Sequence, residues 1–464
     1  MSTRGAAGPR RRVGHAHLAW TVSPLLLAVT ALGRSGQNAG QTTYPLLGRS
    51  ALHMSNGTIG ELGAAAGVVG IFCAIVIVGR ARRDHALVLL AIGQALGLAA
   101  FVLLALPSGP GGLWAAALAL GAFGGLTFPS LMTTIGSGPR EERAKALAIF
   151  ATALSASLLV GPLVEAGILH ALGGSLRATF AALLPVPALA TLLAVLAARR
   201  APVTPEPAAG GEVGRSVGLG SILRRRGTRP AAARLRTQPA FRVAATMMVT
   251  YQVPFAALVS FGALLARHAD GVSASGAEIA FGVFFGISLL VRSTLALATP
   301  RRARAALLVG SVAATVGGVA LVAGARGFPL LLGGMALLGV PHGSTLPLAS
   351  GVLAERTPGE QLARANGLLM ASTNSVSVIV PPICGALADA IGYTHMLLLL
   401  EVPVLLLGGL LVAQLRSPSS PVRSTALQET LRGSEMPLAG APDTVPVVTG
   451  DEDPDRLFDV RPEP

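Results

Sequence analysis

Charge is scarce along this chain. Only 12% of its 464 residues are Asp, Glu, Lys or Arg, against about 25% in an average soluble chain. Cysteine is scarcer still: Cys73 and Cys384 are the only two, and both lie in apolar runs. They form neither a disulfide framework nor a metal-ligand spacing, which leaves both as inert packing residues. The sequence carries no nucleotide-binding loop, metal cluster or nucleophilic triad. Its glycine-rich runs sit inside apolar stretches, where they do not cradle phosphate. An enzyme and an ATP-driven pump are disfavoured on these grounds, and no cofactor or metal is expected.

What is present is apolar. Hydrophobic residues make up 52% of the chain. They recur in runs near the roughly 20 residues that span a bilayer. The expected class is an all-α integral membrane protein, with the lipid bilayer as a partner. A net charge of +14 would suggest nucleic acid in a soluble chain. Here the basic residues cluster between apolar runs and report topology, so no nucleic-acid partner is expected.

Twelve spans can be placed: Leu18–Leu47, Gly57–Gly79, His85–Leu106, Gly112–Ile135, Ala144–Leu169, Ala178–Ala198, Phe241–Ala266, Ala277–Ala298, Ala305–Gly324, Leu330–Leu353, Ala363–Ala388 and Thr394–Leu415. Alternate connections hold the basic clusters, among them Arg80, Arg82 and Arg83, then Arg140, Arg143 and Lys145, then Arg301, Arg302 and Arg304. The positive-inside rule puts both termini in the cytoplasm, and the Ala-, Gly- and Arg-heavy composition points to a bacterial plasma membrane. Residues 1–17 are a basic N-terminus ahead of an uncleaved first span, since no small-x-small cleavage site follows. Residues 18–198 and 241–416 are two six-helix bundles. Residues 199–240 are a basic linker, either solvated or lying on anionic headgroups. The tail, 417–464, is too polar to bury a core and reads as disordered.

One stretch breaks the apolar rule. Arg34, Gln37, Asn38 and Gln41 recur at i, i+3, i+4 and i+7 and share one helix face. Either the first span ends near Leu32 and this is an outer loop, or a charge and three amides sit at membrane depth. Such residues face a water-filled path or a protein partner.

An internal repeat favours the second alternative. At a spacing of 218 residues, Leu120, Gly121, Gly125, Thr127 and Pro129 fall on Leu338, Gly339, Gly343, Thr345 and Pro347. At 219, Pro139, Glu141, Ala144, Pro162 and Gly173 fall on Pro358, Glu360, Ala363, Pro381 and Gly392. Arg49 falls on Arg267, which extends the first helix to match the seventh. Arg34 then lies about 16 residues into its helix, near the midplane at 1.5 Å per residue. Its repeat partner is Gln252.

Two parallel six-span repeats joined by a long basic loop resemble the major facilitator superfamily, over about residues 15 to 416. The resemblance implies a secondary transporter working by alternating access, with spans 1, 4, 7 and 10 around a central path. It thereby adds His342 and Thr345 to Arg34, Gln37, Asn38, Gln41 and Gln252 as substrate-binding candidates. The short family motifs are incomplete. The loop between spans 2 and 3 keeps Arg80, Arg82 and Arg83 but has no aspartate at the helix end, and its second copy, with Arg302 and Arg304, lacks it too. In span 5 Gly161-Pro162 match the antiporter motif, while Glu165-Ala166 replace its paired glycines. In span 4 Ala117 and Leu120 replace the motif's arginine and glutamine.

Glu165 is read as the lone acid well inside a span. It carries a proton during transport, pairs with Arg34 or Arg292, or reaches water at the membrane surface. Arg292 is expected to snorkel toward the nearby basic loop, and Asn374 to donate between helices. The leading expectation is proton-coupled efflux of a small organic solute, resting on Gly161-Pro162, by a monomer. Uptake or exchange of an anionic metabolite is the alternative that Arg34 supports. A non-transporting membrane sensor is the alternative of another class.

Overall fold

In hydrocarbon no water is at hand for peptide N–H and C=O groups, so the apolar runs must satisfy them internally as helices. The computed structural model describes residues 24–81, 85–106, 109–136, 140–200, 235–268, 272–297, 303–357 and 359–417, and over these it is helical with short connections. Arg82, Arg83, Arg302, most of the linker and N-terminus, and nearly all of the tail lie outside the described residues.

The helices are α1 (Pro24–Ala51), α2 (Asn56–Phe72), α3 (Ala86–Ala105), α4 (Pro110–Gly136), α5 (Arg140–Ala171), α6 (Leu176–Leu183), α7 (Pro185–Arg200), α8 (Pro239–His268), α9 (Ala274–Leu297), α10 (Arg304–Ala323), α11 (Phe328–Arg356) and α12 (Gly359–Arg416). Each expected span falls on a helix over its described residues. α2 runs on through a π-helical turn, Cys73–Ile77, and a 3-10 turn, Val78–Arg80. The sixth span is split between α6 and α7 just before Pro185, whose ring removes a backbone donor. α12 holds the last two spans, broken at Gly392, which takes φ 79°. That left-handed conformation suits glycine alone among unstrained residues.

Nine helical stretches among the described residues are long and apolar enough to cross a membrane unaided, and α1 and α11 are not among them. These are the helices interrupted by Arg34 to Gln41 and by Pro341-His342. The polar run is therefore helix and not loop, and α1 continues through it to Ala51.

The repeat is visible in the packing. Gly121 and Gly125 of α4 lie so close to α2 that a methyl group on either would overlap the carbonyl of Ala66 or Gly70. Gly339 and Gly343 of α11 lie equally close to Phe284 and Ser288 of α9. All four pairs are 218 residues apart, so one glycine-made crossing has been used twice. Gly173 and Gly392, related by 219, both have positive φ. Arg49 and Arg267 both sit in the last turn of their helices.

Between the halves, α2 packs on α12, α5 on α9 and α1 on α8. At one end a single core unites Tyr44, Leu62 and Phe101 of the first half with Phe261, Phe281 and Met396 of the second. At the other end the cores are separate. Leu26, Leu87, Leu131 and Phe150 form one, and Phe241, Leu308, Leu348 and Leu369 form another. The halves are thus sealed together at one end and individually packed at the end that carries the arginine-rich loops.

Candidate substrate path and acid pair

α1 carries its polar residues on more than one face of contact. Arg34 is half-buried, and its Nη1 donates to Oε1 of Gln37 one turn on, at 2.7 Å. Gln37 is buried, and its amide lies against Gly124 of α4. Asn38 Nδ2 donates to the carbonyl of Leu158, and Ser35 Oγ to that of Ser157, both on α5. Gly161 lies directly on the backbone of Ser35. Part of the polar stripe therefore binds α1 to α5, with Gly161 allowing the close approach. Gln41 is half-buried one turn beyond Asn38.

Across from this stripe stands Arg292 of α9. It does not snorkel outward. Its Nη1 donates to Ser155 Oγ on α5, in the other half, at 2.8 Å, and its Nη2 to the carbonyl of His342 at 3.4 Å. The corrected placement follows from α5 lying against α9, which offers a polar partner nearer than the headgroups. Arg34 and Arg292 lie within electrostatic reach of one another. Each has a buried Nε without a hydrogen-bond partner. Among the described residues neither guanidinium has a carboxylate partner.

His342 is enclosed by aromatic rings. Its Nδ1 shares a short hydrogen bond with the hydroxyl of Tyr251. Phe255 and Phe284 lie with ring centroids 4.8 and 4.9 Å from the imidazole, and Phe285 meets it edge-on. Gln252 donates to Ser377 Oγ of α12 at 2.7 Å. That bond does the interhelical work expected of Asn374, which is itself exposed. Thr345 is buried and turned toward α10, near Ser311 Oγ. The described part of the cationic loops includes Arg304, which donates to Glu355 at 2.6 Å. Arg80 closes the 3-10 turn that ends the second span.

Glu165 is not alone, nor is it paired with an arginine. Glu278 of α9 faces it across the junction of the halves, within electrostatic reach, and both residues are 0% exposed. Among the described residues neither carboxyl oxygen of Glu165 has a partner at hydrogen-bond distance, and the nearest hydroxyl acting on it is that of Thr43. Glu278 accepts from Thr42 Oγ1 at 3.2 Å and from Thr43 Oγ1 at 3.1 Å. A span beginning at Ala277 has Glu278 as its second residue, at the helix end. The structure starts that helix at Ala274 and buries the second turn. A third acid, Glu401, is half-buried in α12.

The chain belongs to the Major Facilitator Superfamily, whose family model matches residues 43–326 and 270–449. No curated protein matches it in sequence. Among solved structures it is similar to a variant of the nucleoside transporter NupG, with TM-score 0.67 and 14% identity over 85% of this chain and 100% of that one. It is also similar to a bacterial homologue of the human lysosomal transporter Spinster, inward-facing and unoccupied, with TM-score 0.66 and 14% identity over 88% and 98%. A third similar structure is a POT family transporter in complex with 5-aminolevulinic acid, with TM-score 0.66 and 12% identity over 84% and 95%. At such identities the likeness establishes the fold alone. The protein is a multi-pass membrane transporter and not an enzyme.

Proposed function

We propose that the protein is a secondary transporter that carries a small organic anion by alternating access of its two halves about the layer of Arg34 and Arg292. One observation carries this reading. Two guanidiniums, one from each half, lie within electrostatic reach of one another with an unpartnered Nε apiece and, among the described residues, no carboxylate bonded to either. Buried like charges are costly, and an anionic substrate group would neutralise them while bridging the halves. Guanidiniums present forked donors that suit a carboxylate or phosphate. Gln37 and Gln41 would supply further polar contacts, with Gln252, His342 and Thr345 on the opposite half.

Glu165 would carry the coupled proton. Exchange of substrate against protons is the direction that Gly161-Pro162 suggests by resemblance, which makes efflux the reading of that motif. The arginines favour an anionic cargo in either direction. We place the protein in the bacterial plasma membrane as a monomer. Both termini would be cytoplasmic, and the bundles 18–198 and 241–416 would be joined by the basic linker.

The test is transport in reconstituted vesicles with an imposed pH gradient, screened with labelled solutes of different charge. Anions should be carried and neutral analogues should not. Arg34→Ala should abolish the flux while leaving folded protein in the membrane, and normal flux by that variant would remove the reading.

A further inference from the structure

We infer that Glu165 and Glu278 form a single proton-binding unit whose occupancy closes the sealed end of the transporter. The inference rests on the secondary-transport reading and adds to it a second acid and a conformational role.

The geometry comes first. Glu165 belongs to α5 in the first half and Glu278 to α9 in the second. Among the described residues the hydroxyls of Thr42 and Thr43 donate to Glu278, and that of Thr43 also lies close to the carboxyl of Glu165. The charged or titratable side chains described on the helices around them are Arg34, Tyr44 and Arg49 on α1, His170 on α5, Arg242, Tyr251, Arg267 and His268 on α8, Arg292 on α9, and His342, Glu355 and Arg356 on α11. Among the described residues none of these bonds to either carboxyl. The arginine layer is elsewhere: Ser155 and Arg292 lie 10 and 14 residues along their helices from Glu165 and Glu278, or about 15 and 21 Å at 1.5 Å per residue. The arginines therefore do not serve as counter-ions for the acids.

The repeat supplies an independent argument. Glu278 occupies the place that Gly60 holds in the first half, 218 residues earlier, and Pro162 corresponds to Pro381. In the α2–α12 crossing, Gly60 lies directly on the carbonyl of Pro381 and Gly385 on that of Asn56. That crossing closes backbone to backbone. In the equivalent α5–α9 crossing the glycine is replaced by a carboxyl, and a second carboxyl, Glu165, stands one turn from Pro162. In one copy of the repeat the acid at the junction, Asp389, is met by the N–H groups of Asn56 and Gly57; in the other the junction closes over two acids that, among the described residues, no backbone N–H meets.

Two facing carboxylates in an apolar, water-free junction repel, and they can come together only with a proton between them. Separated and wetted, each can be charged alone. Closing this end then takes up one proton and opening it releases one. The proton passes from water to a carboxyl oxygen of the pair and back, with no other group consumed. By linkage, the ratio of closed to open protein should fall about tenfold for each unit rise in pH once both acids are charged in the open state.

The test reads conformation and not flux, so it is separate from the transport assay. Spin labels are placed at Ala51 and Ile391, both exposed at the sealed end and in opposite halves, in a protein whose Cys73 and Cys384 have been replaced by alanine. Distances are measured by pulsed electron resonance in lipid nanodiscs without substrate, from pH 5 to pH 9. The native pair should give a short distance at low pH and a growing long component as pH rises. Glu278→Gln and Glu165→Gln, which preserve shape, should each hold the short distance across the whole range. A pH response in both variants equal to that of the native acids would overturn the inference. So would an unresponsive native protein, or closure driven by sodium at constant pH. Failure of the anion-transport assay alongside a normal pH response would instead remove the proposed cargo and leave the proton switch standing.

Discussion

Asp389, near the break in α12, caps the N-terminus of α2 in the opposite half. Its Oδ1 accepts from the backbone N–H and the side-chain amide of Asn56 at 3.0 and 2.8 Å, and its Oδ2 from the N–H of Gly57 at 2.7 Å. Tyr393 donates to Asn56 Oδ1 from just beyond the break. A helix N-terminus leaves its first N–H groups unpartnered and carries partial positive charge. Here a carboxylate from the other half satisfies it, so the cap exists only while this end is closed.

Removing that carboxylate should loosen the closed end. Asp389→Ala leaves the N–H groups of Asn56 and Gly57 to water, and loss of such a cap costs about 1 kcal/mol. The closed-to-open ratio should fall roughly fivefold, read from the reactivity of a cysteine introduced at Ser260, which is buried in α8. Unchanged reactivity would mean that the cap follows closure without contributing to it.

The glycine contacts separate stability from gating. Gly121→Ala forces α4 away from α2 within one half, and overpacking of this kind typically costs about 1–3 kcal/mol. It should lower the melting temperature. Gly385→Ala presses on the carbonyl of Asn56 between the halves. It should leave each half intact and shift the population toward opening at that end. Both are checked by pairing thermal melts with spin-label distances.

Arg292 should be as sensitive as Arg34. Arg292→Lys keeps the charge but loses the fork that reaches Ser155 and the carbonyl of His342 together. Hydrogen bonds to a charged group are worth about 1.5–3 kcal/mol. Transport of an anionic solute should drop tenfold or more, with KM rising, in the vesicle assay. A lysine variant with native KM would place Arg292 outside the binding layer.

Gln94 offers a stability prediction independent of transport. It is fully buried in α3 against Gly33, and neither its amide nitrogen nor its oxygen has a partner. An unsatisfied buried polar group costs about 1–3 kcal/mol. Gln94→Leu, similar in volume, should therefore raise the melting temperature. A fall would indicate that the amide meets a partner in another conformation.

Much of the architecture was written in the order of residues. Bilayer-length apolar runs force helices because hydrocarbon offers no other partner for the backbone. The 218-residue repeat announced two halves, and Gly121, Gly125, Gly339 and Gly343 were its clearest marks because close helix contacts admit no side chain. It also carried the first helix through Arg34 to the residues before Arg49, a point that hydropathy alone leaves open; the structure ends it at Ala51. Tertiary structure decided the pairings. Arg292 is equally near the basic loop whether it points out or in, and only Ser155, 137 residues away in sequence, turns it inward. Glu278 was hidden because its repeat partner is Gly60, which has no side chain to compare. Glu165 meets it only because α5 and α9 cross between the halves. The polar run that first broke the apolar pattern proved to be divided in use. Ser35 and Asn38 fasten α1 to α5, and Arg34 faces Arg292. Spacing on one helix puts residues on a common face, but the neighbouring helices determine what each of them meets.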